Sequence, residues 1–282
     1  MKKAGKYLLT AVPLIVGLAL QVVCSIIAST VYSFYRAAQA AASGEIVTQS
    51  EILAGFGGIA IYALIVSQIL AFLVFGLWYK RQNKNRESRS LTQVVHVKTI
   101  GSILFLGIGL QLLTNLFMQI AYVIMPSAME EYAALVETVG IGQANVISML
   151  ATVILAPIVE EIIFRGVTMR LAQKAGAGFL AANLIQAVAF GIYHFNLVQG
   201  IYATVIGLAL GYVAYKYRSI YPSILLHLAY NLAATLLGAS AQILPDTMAT
   251  QAVLVVVMIV ATAAGIWFLK ADQREEVYEN AD

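Results

Sequence analysis

The stretch Leu155–Arg170, LAPIVEEIIFRGVTMR, places three charged side chains inside a run that is otherwise apolar enough to cross a membrane. The three are Glu160, Glu161 and Arg165, and their neighbours are mostly Ile, Val, Phe and Met. One charged side chain near the bilayer centre costs roughly 2.5–3.5 kcal/mol on insertion scales. Ionisable groups at such a position mark a functional site or a buried ion pair, so the rest of the chain must contain their partners.

The composition is that of an integral membrane protein. Of 282 residues, 61% are apolar and only 11% are charged, whereas a soluble domain has about 25% charged residues. The single cysteine, Cys24, lies in an apolar run and excludes an internal disulfide and a Cys-rich metal cluster. The basic residues flank apolar segments, which indicates membrane anchors and argues against a nucleic-acid-binding surface.

A helical crossing needs about 20 apolar residues. On this criterion we predict an all-α fold, a polytopic transmembrane bundle of about eight helices at about 7–34, 53–79, 99–125, 146–169, 178–195, 199–217, 221–240 and 250–270. The first apolar run follows a basic start but exceeds the 7–15 residues of a signal-peptide core. We therefore expect an uncleaved first span, with a removed signal peptide as the alternative.

The predicted spans divide the chain into three parts. Residues 1–145 contain helices 1–3 and a basic loop near 80–98, which we interpret as an ordinary cytoplasmic connector. Residues 146–240 contain helices 4–7 and most of the intramembrane polar groups. Residues 241–282 contain the last helix and a tail.

The distribution of lysine and arginine predicts the orientation. With eight crossings, one side receives Lys2, Lys3, Lys6, Lys80, Arg81, Lys84, Arg86, Arg89, Lys98, Arg170, Lys174, Lys216, Arg218, Lys270 and Arg274. The other side receives Glu45, Glu51, Glu130, Glu131, Glu137 and Asp246, with Arg36 as its one basic residue. We therefore expect a multi-pass cell-membrane protein with cytoplasmic N- and C-termini and an external segment, 126–145, that forms a short surface helix.

Helix geometry separates the three charges. Glu161 and Arg165 are four residues apart, the favourable spacing for an ion pair on one helix face. Glu160 points about 100° away from Glu161 and has no partner on its own helix. A carboxylate in an apolar bundle needs water or a polar group from another helix.

Two later spans supply such groups. Phe190 and His194 are four apart in one span, and His227 and Asn231 are four apart in another. A single histidine in a helix is more often a packing residue than a catalyst. Two histidines, an asparagine and a glutamate in three neighbouring spans indicate a shared site, because burying each of them without a partner is unfavourable.

The motifs EExxxR at Glu160–Arg165, FxxxH at Phe190–His194 and HxxxN at His227–Asn231 together resemble the signature of the CAAX prenyl protease type II family, also called the Abi or CPBP family of intramembrane proteases. The resemblance covers about 146–240, including a small-xxx-small pair, Gly207 and Gly211, suited to close helix packing. One departure is Arg218-Ser219, where family members often have a Thr-Gly turn.

The resemblance implies peptide hydrolysis without a Ser or Cys nucleophile. Glu160, helped by His194, is expected to activate water, and His227 and Asn231 are expected to stabilise the oxyanion. Glu161, Arg165 and Phe190 are expected to support them. We favour a metal-free route, and the alternative is a zinc enzyme with Glu160, His194 and His227 as ligands.

The expected partners are membrane lipid and a membrane-associated peptide or protein substrate, with no nucleic acid. Relatives act in prenyl-protein processing, bacteriocin immunity or peptide signalling, and the compact chain without organelle signals is typical of a bacterial protein. A different class of function, a proton-coupled transporter, also uses buried carboxylate, histidine and arginine. Against it, the polar groups cluster in one half of the chain, and we see no internal repeat.

Overall fold

The computed structural model describes residues 3–84, 89–139, 146–240 and 247–272. Every regular element in these ranges is helical. The helices are α1 (Lys3–Leu8), α2 (Val12–Ser43), α3 (Gln49–Gln82), α4 (Leu91–Val94), α5 (Val97–Ile124), α6 (Pro126–Val139), α7 (Val146–Lys174), α8 (Phe179–Tyr193), α9 (Leu197–Lys216), α10 (Tyr221–Ser240) and α11 (Met248–Ala271).

The predicted all-α polytopic bundle is confirmed. Six helices in the described residues are long and apolar enough to cross a membrane: Gly5–Ser43, Gly55–Gln82, α5, α7, α9 and α11. Helix α8 is apolar but has only 15 residues, and α10 has 20 residues and lies where the seventh span was predicted. The number of eight crossings therefore stays a prediction.

Two helices extend beyond their predicted ends. The first apolar helix continues to Ser43 and the fourth to Lys174, past the predicted ends at 34 and 169. Helix α6 lies within the segment 126–145, for which a short helix was expected. The predicted orientation used Lys2, Arg86, Asp246 and Arg274, which lie outside the described residues, and the orientation likewise stays a prediction.

Helix α7 departs from regular α geometry at two places. Segments Leu150–Leu155 and Ile162–Thr168 are π-helical, and the α-helical segment Ala156–Glu161 lies between them. The backbone N–H of Ala156 donates to the Ala151 carbonyl, and that of Met169 donates to the Phe164 carbonyl, each five residues earlier in the chain. Pro157 follows the first π segment, and proline lacks the N–H that a regular turn requires. Short π segments are frequent at functional sites.

The bundle packs around α7. Its buried residues, including Ile163, Phe164 and Val167, form one core cluster with Phe75 of α3 and Phe190 of α8. Elements α2, α3, α8, α9 and α10 all contact α7. The glutamate pair in the middle of α7 is therefore enclosed by helices from both halves of the chain.

A second core cluster connects α5, α9, α10 and α11. At one end of this cluster the Asp272 carboxylate accepts hydrogen bonds from the Tyr217 hydroxyl (3.0 Å) and the Thr99 hydroxyl (3.1 Å). These hydrogen bonds connect the C-terminal end of α11 to the start of α5 and to the C-terminal end of α9.

Candidate active site

The Glu161 carboxylate is the centre of a fully buried hydrogen-bond network. Its Oε1 accepts from Arg165 Nη1 at 2.7 Å and lies 3.0 Å from His227 Nδ1. Both glutamate and arginine side chains have no solvent exposure. A carboxylate paired with arginine is ionised and accepts only, so His227 donates through Nδ1–H and its Nε2 faces away from Glu161. The predicted Glu161–Arg165 contact is present, and the histidine contact was not predicted.

Arg165 has further contacts that make its burial tolerable. Its Nη2 donates to the Gly207 carbonyl at 3.0 Å, and its guanidinium lies 4.6 Å from the centre of the Phe190 ring. Removing a guanidinium from water is costly unless hydrogen bonds and charge partners replace the hydration. Arg165 thereby connects α7 to α8 and α9.

Glu160 lies on the other side of His227. The distance between Glu160 Oε2 and His227 Nε2 is 3.7 Å, and Glu160 is 9% exposed. The separation exceeds a direct hydrogen bond, and a water oxygen about 2.8 Å from each atom would lie to one side of the line that joins them. Glu160 and Glu161 therefore face opposite nitrogens of one imidazole ring.

His194 approaches the same region through Phe190. The Phe190 ring centre lies 5.0 Å from that of His194 and 5.6 Å from that of His227. His194 ends α8, and the next residue, Phe195, has a positive φ of 52° that permits a tight turn into α9. Such backbone strain in a non-glycine residue often accompanies a functional site.

Asn231 lies one turn beyond His227 on α10 and bonds to a different part of α7. Its Nδ2 donates to the Thr152 carbonyl at 2.8 Å, in the first π segment. Of the four predicted catalytic residues, Glu160 and His227 therefore approach each other directly. His194 is linked to His227 through the Phe190 ring, and Asn231 contacts α7 at Thr152.

Sequence reasoning missed two polar residues of α8 that support this arrangement. Gln186 Nε2 donates to the Gly207 carbonyl (2.9 Å) and to Asn183 Oδ1 (2.7 Å), and Asn183 Nδ2 donates to the Leu208 carbonyl (3.1 Å). Their presence in an otherwise apolar span was an available signal.

The predicted small-residue pair on α9 is part of this contact. A Cβ at Gly207 would lie 3.1 Å from the Ala187 Cα, and one at Gly211 would lie 2.5 Å from Gln186 Nε2. Glycine at these positions therefore allows the close approach of α8 to α9.

The alternative zinc set requires Glu160, His194 and His227 to converge on one metal ion. Among the described residues, no group of three or more His, Cys, Asp and Glu side chains is placed to hold a metal ion. Glu160 and His227 approach each other, but His194 contacts them only through the Phe190 ring. The metal-free route therefore stays a prediction.

Comparison with known proteins identifies the segment that contains these residues. Residues 142–233 match the family model described as Type II CAAX prenyl endopeptidase Rce1-like. No curated protein matches the chain. No solved structure matches it either. The matched segment contains Glu160, Glu161, Arg165, His194, His227 and Asn231. The match covers about a third of the chain, and it confirms the predicted resemblance of this segment to the CAAX prenyl protease type II family.

Proposed function

We propose that this protein is an intramembrane endopeptidase that hydrolyses a peptide bond of a membrane-associated protein or peptide with water activated by Glu160. The observation that carries the proposal is the 3.7 Å separation between Glu160 Oε2 and His227 Nε2. The opposite nitrogen of the ring, Nδ1, is hydrogen-bonded to Glu161. The family supports the class of reaction. The roles of individual residues follow from the chemistry of their surroundings.

Water activation begins at the Glu160 carboxylate. A water that lies between Glu160 and His227 Nε2 donates one hydrogen to the carboxylate and presents its oxygen to the substrate carbonyl carbon. As the new C–O bond forms, the proton passes to Glu160. When the tetrahedral intermediate collapses, the C–N bond breaks and Glu160 returns the proton to the leaving amine.

The oxyanion needs donors that are already oriented. His227 Nε2 donates to the oxyanion when the ring has taken up a second proton from solvent as the substrate binds, and the ionised Glu161 stabilises that imidazolium through Nδ1–H. The side-chain amide of Asn231 has two N–H bonds. One donates to the Thr152 carbonyl, and the other donates to the oxyanion. His194 assists from the end of α8, next to the ring of Phe190.

Comparative membrane proteomics of cells that contain wild-type protein or Glu160→Gln tests this function and also identifies the substrate. We expect a set of new peptide termini to disappear in Glu160→Gln, since loss of a general base slows the reaction by about 10²–10⁴-fold. The matched control is Glu131→Gln, an exposed glutamate on α6. An unchanged set of termini, with Glu160→Gln present at wild-type level in the membrane, would contradict the proposal.

Metal analysis of the purified protein addresses the zinc alternative. In the proposed mechanism, cleavage continues after chelation and zinc does not copurify stoichiometrically. Stoichiometric zinc, lost together with activity on chelation and restored with it, would favour the alternative ligand set Glu160, His194 and His227.

A further inference from the structure

A basic cleft of about 30 Å³ lies at the ends of α3, α7 and α9, separate from the gap between Glu160 and His227. Tyr79 of α3, Arg165 and Arg170 of α7, and Arg218 and Ser219 after α9 line it. No acidic residue is among the described residues around the cleft. Because Glu161 compensates the charge of Arg165, Arg170 and Arg218 supply the net positive charge of the cleft, which has room for one small group.

Arg165 distinguishes this cleft from an ordinary basic helix end. Arginines in the last turn of a helix are common because they interact favourably with the helix dipole. Arg165 instead lies inside α7 and is 3% exposed. Its Nη1 donates to the Glu161 carboxylate and its Nη2 to the Gly207 carbonyl. Its Nε is buried and has no hydrogen-bond partner in the part of the chain that the structure describes. A buried N–H donor without a partner is unfavourable, so an acceptor in the cleft would stabilise it.

The other two arginines lie at the mouth of the cleft. Arg218 is exposed and has a positive φ of 49°, and Arg170 donates to Gln173 Oε1 at 3.3 Å. Arg170 and Arg218 lie near helix ends on the side that is predicted to carry most of the lysines and arginines. Basic pockets between membrane helices on that side are suited to anionic lipid headgroups.

We propose that this cleft binds the phosphate group of an anionic phospholipid from the adjoining leaflet. A phosphate oxygen accepts from Arg165 Nε, and Arg170 and Arg218 hold the remaining phosphate oxygens. A zwitterionic phospholipid has the same phosphate, but its cationic headgroup is repelled by the guanidinium groups of Arg170 and Arg218. Free phosphate lacks the acyl chains, which lie against the apolar helix surface beside the cleft.

Native mass spectrometry of the full-length protein in detergent tests the proposal with phosphatidylglycerol, phosphatidylcholine and inorganic phosphate as separate additions. We expect phosphatidylglycerol to bind more tightly than phosphatidylcholine, and its affinity to fall about tenfold in Arg218→Asn, the loss expected for one charge-assisted contact. Asparagine tolerates the left-handed backbone at this position. Arg170→Gln is expected to weaken binding similarly.

The matched control is Arg81→Gln, an exposed arginine beyond the cleft on the same predicted side. It is expected to bind phosphatidylglycerol as the wild type does. Equal binding by Arg218→Asn and wild type, an equal loss in Arg81→Gln, or displacement of the lipid by inorganic phosphate would each overturn the proposal. Lipid binding is measured without cleavage, so this result is independent of the proposed peptidase activity.

Discussion

At the scale of single residues, one oxygen of Glu161 joins Arg165 and His227 into a unit. Both contacts, at 2.7 and 3.0 Å, lie in a region without solvent, where the loss of one partner leaves an uncompensated charge. Breaking such a buried pair typically costs about 3–5 kcal/mol. Glu161 therefore fixes the position of His227 without contacting the proposed water.

The first prediction concerns Arg165. Arg165→Gln leaves the buried Glu161 carboxylate without its cation, and we expect it to lower the free energy of unfolding by about 3–5 kcal/mol. Unfolding in detergent, followed by circular dichroism, measures the change. The exposed Arg81→Gln is expected to stay within about 0.5 kcal/mol of wild type. Equal stability of the two variants would show that the buried pair does not stabilise the fold.

The second prediction concerns the tautomer of His227. Because Nδ1 faces Glu161 Oε1, we expect the neutral ring to be protonated on Nδ1 at neutral pH. Nitrogen-15 NMR of histidine-labelled protein measures the tautomer, and His227→Asn assigns the signal among the three histidines. A ring protonated on Nε2 alone would contradict the proposed hydrogen bond to Glu161.

The residue-level contacts that the sequence predicts are the local ones. Glu161 and Arg165 lie on one helix, so their spacing predicts the pair that the structure contains. The contact between His227 and Glu161 spans 66 residues, and the one between Asn231 and Thr152 spans 79. Contacts of this kind depend on how helices rotate against one another, and spacing along one helix does not determine that rotation.

At the scale of elements, the two π segments of α7 and the close contact between α8 and α9 shape the site. Pro157 marks one irregularity in the sequence, but the residues of the second, Ile162–Thr168, have no proline. Periodicity therefore predicted a regular helix here and could not predict the π turns. The glycine pair, in contrast, predicted a close helix contact, but it did not predict that the partner helix is α8.

The third prediction tests this close contact. A Cβ at Gly207 meets Ala187 and Phe190 at 3.1–3.2 Å, so Gly207→Ala is expected to destabilise the protein by about 1–3 kcal/mol through overpacking. It also moves the carbonyl that accepts from Arg165. The control is Gly76→Ala on α3, where a Cβ has no neighbour within 4 Å. If thermal unfolding shows the same stability for both variants, the close contact does not require glycine.

At the scale of the whole molecule, composition determined the class, and the apolar runs located the helices. Apolar length alone does not determine the number of crossings. Helix α8 has only 15 residues, and six of the described helices meet the length and hydropathy criterion. With eight crossings, the charge pattern predicts that both termini are inside, and this agreement supports the number of eight.

The fourth prediction tests this orientation. In a Cys24→Ser background, a cysteine at Ser127 or Met248 is expected to react with a membrane-impermeant maleimide applied to intact cells, because both positions are exposed and predicted to be external. A cysteine at the exposed Ser90 is expected to react only after permeabilisation. Labelling of Ser90→Cys in intact cells would contradict the predicted orientation.

The central claim is that Glu160 activates the water that cleaves the peptide bond. The most direct test measures the single-turnover cleavage rate of a substrate found by proteomics, with the purified protein reconstituted in lipid vesicles. We predict that Glu160→Gln lowers this rate by about 10²–10⁴-fold while it inserts and unfolds as the wild type and Glu131→Gln do. A folded Glu160→Gln protein that cleaves at the wild-type rate would contradict the account.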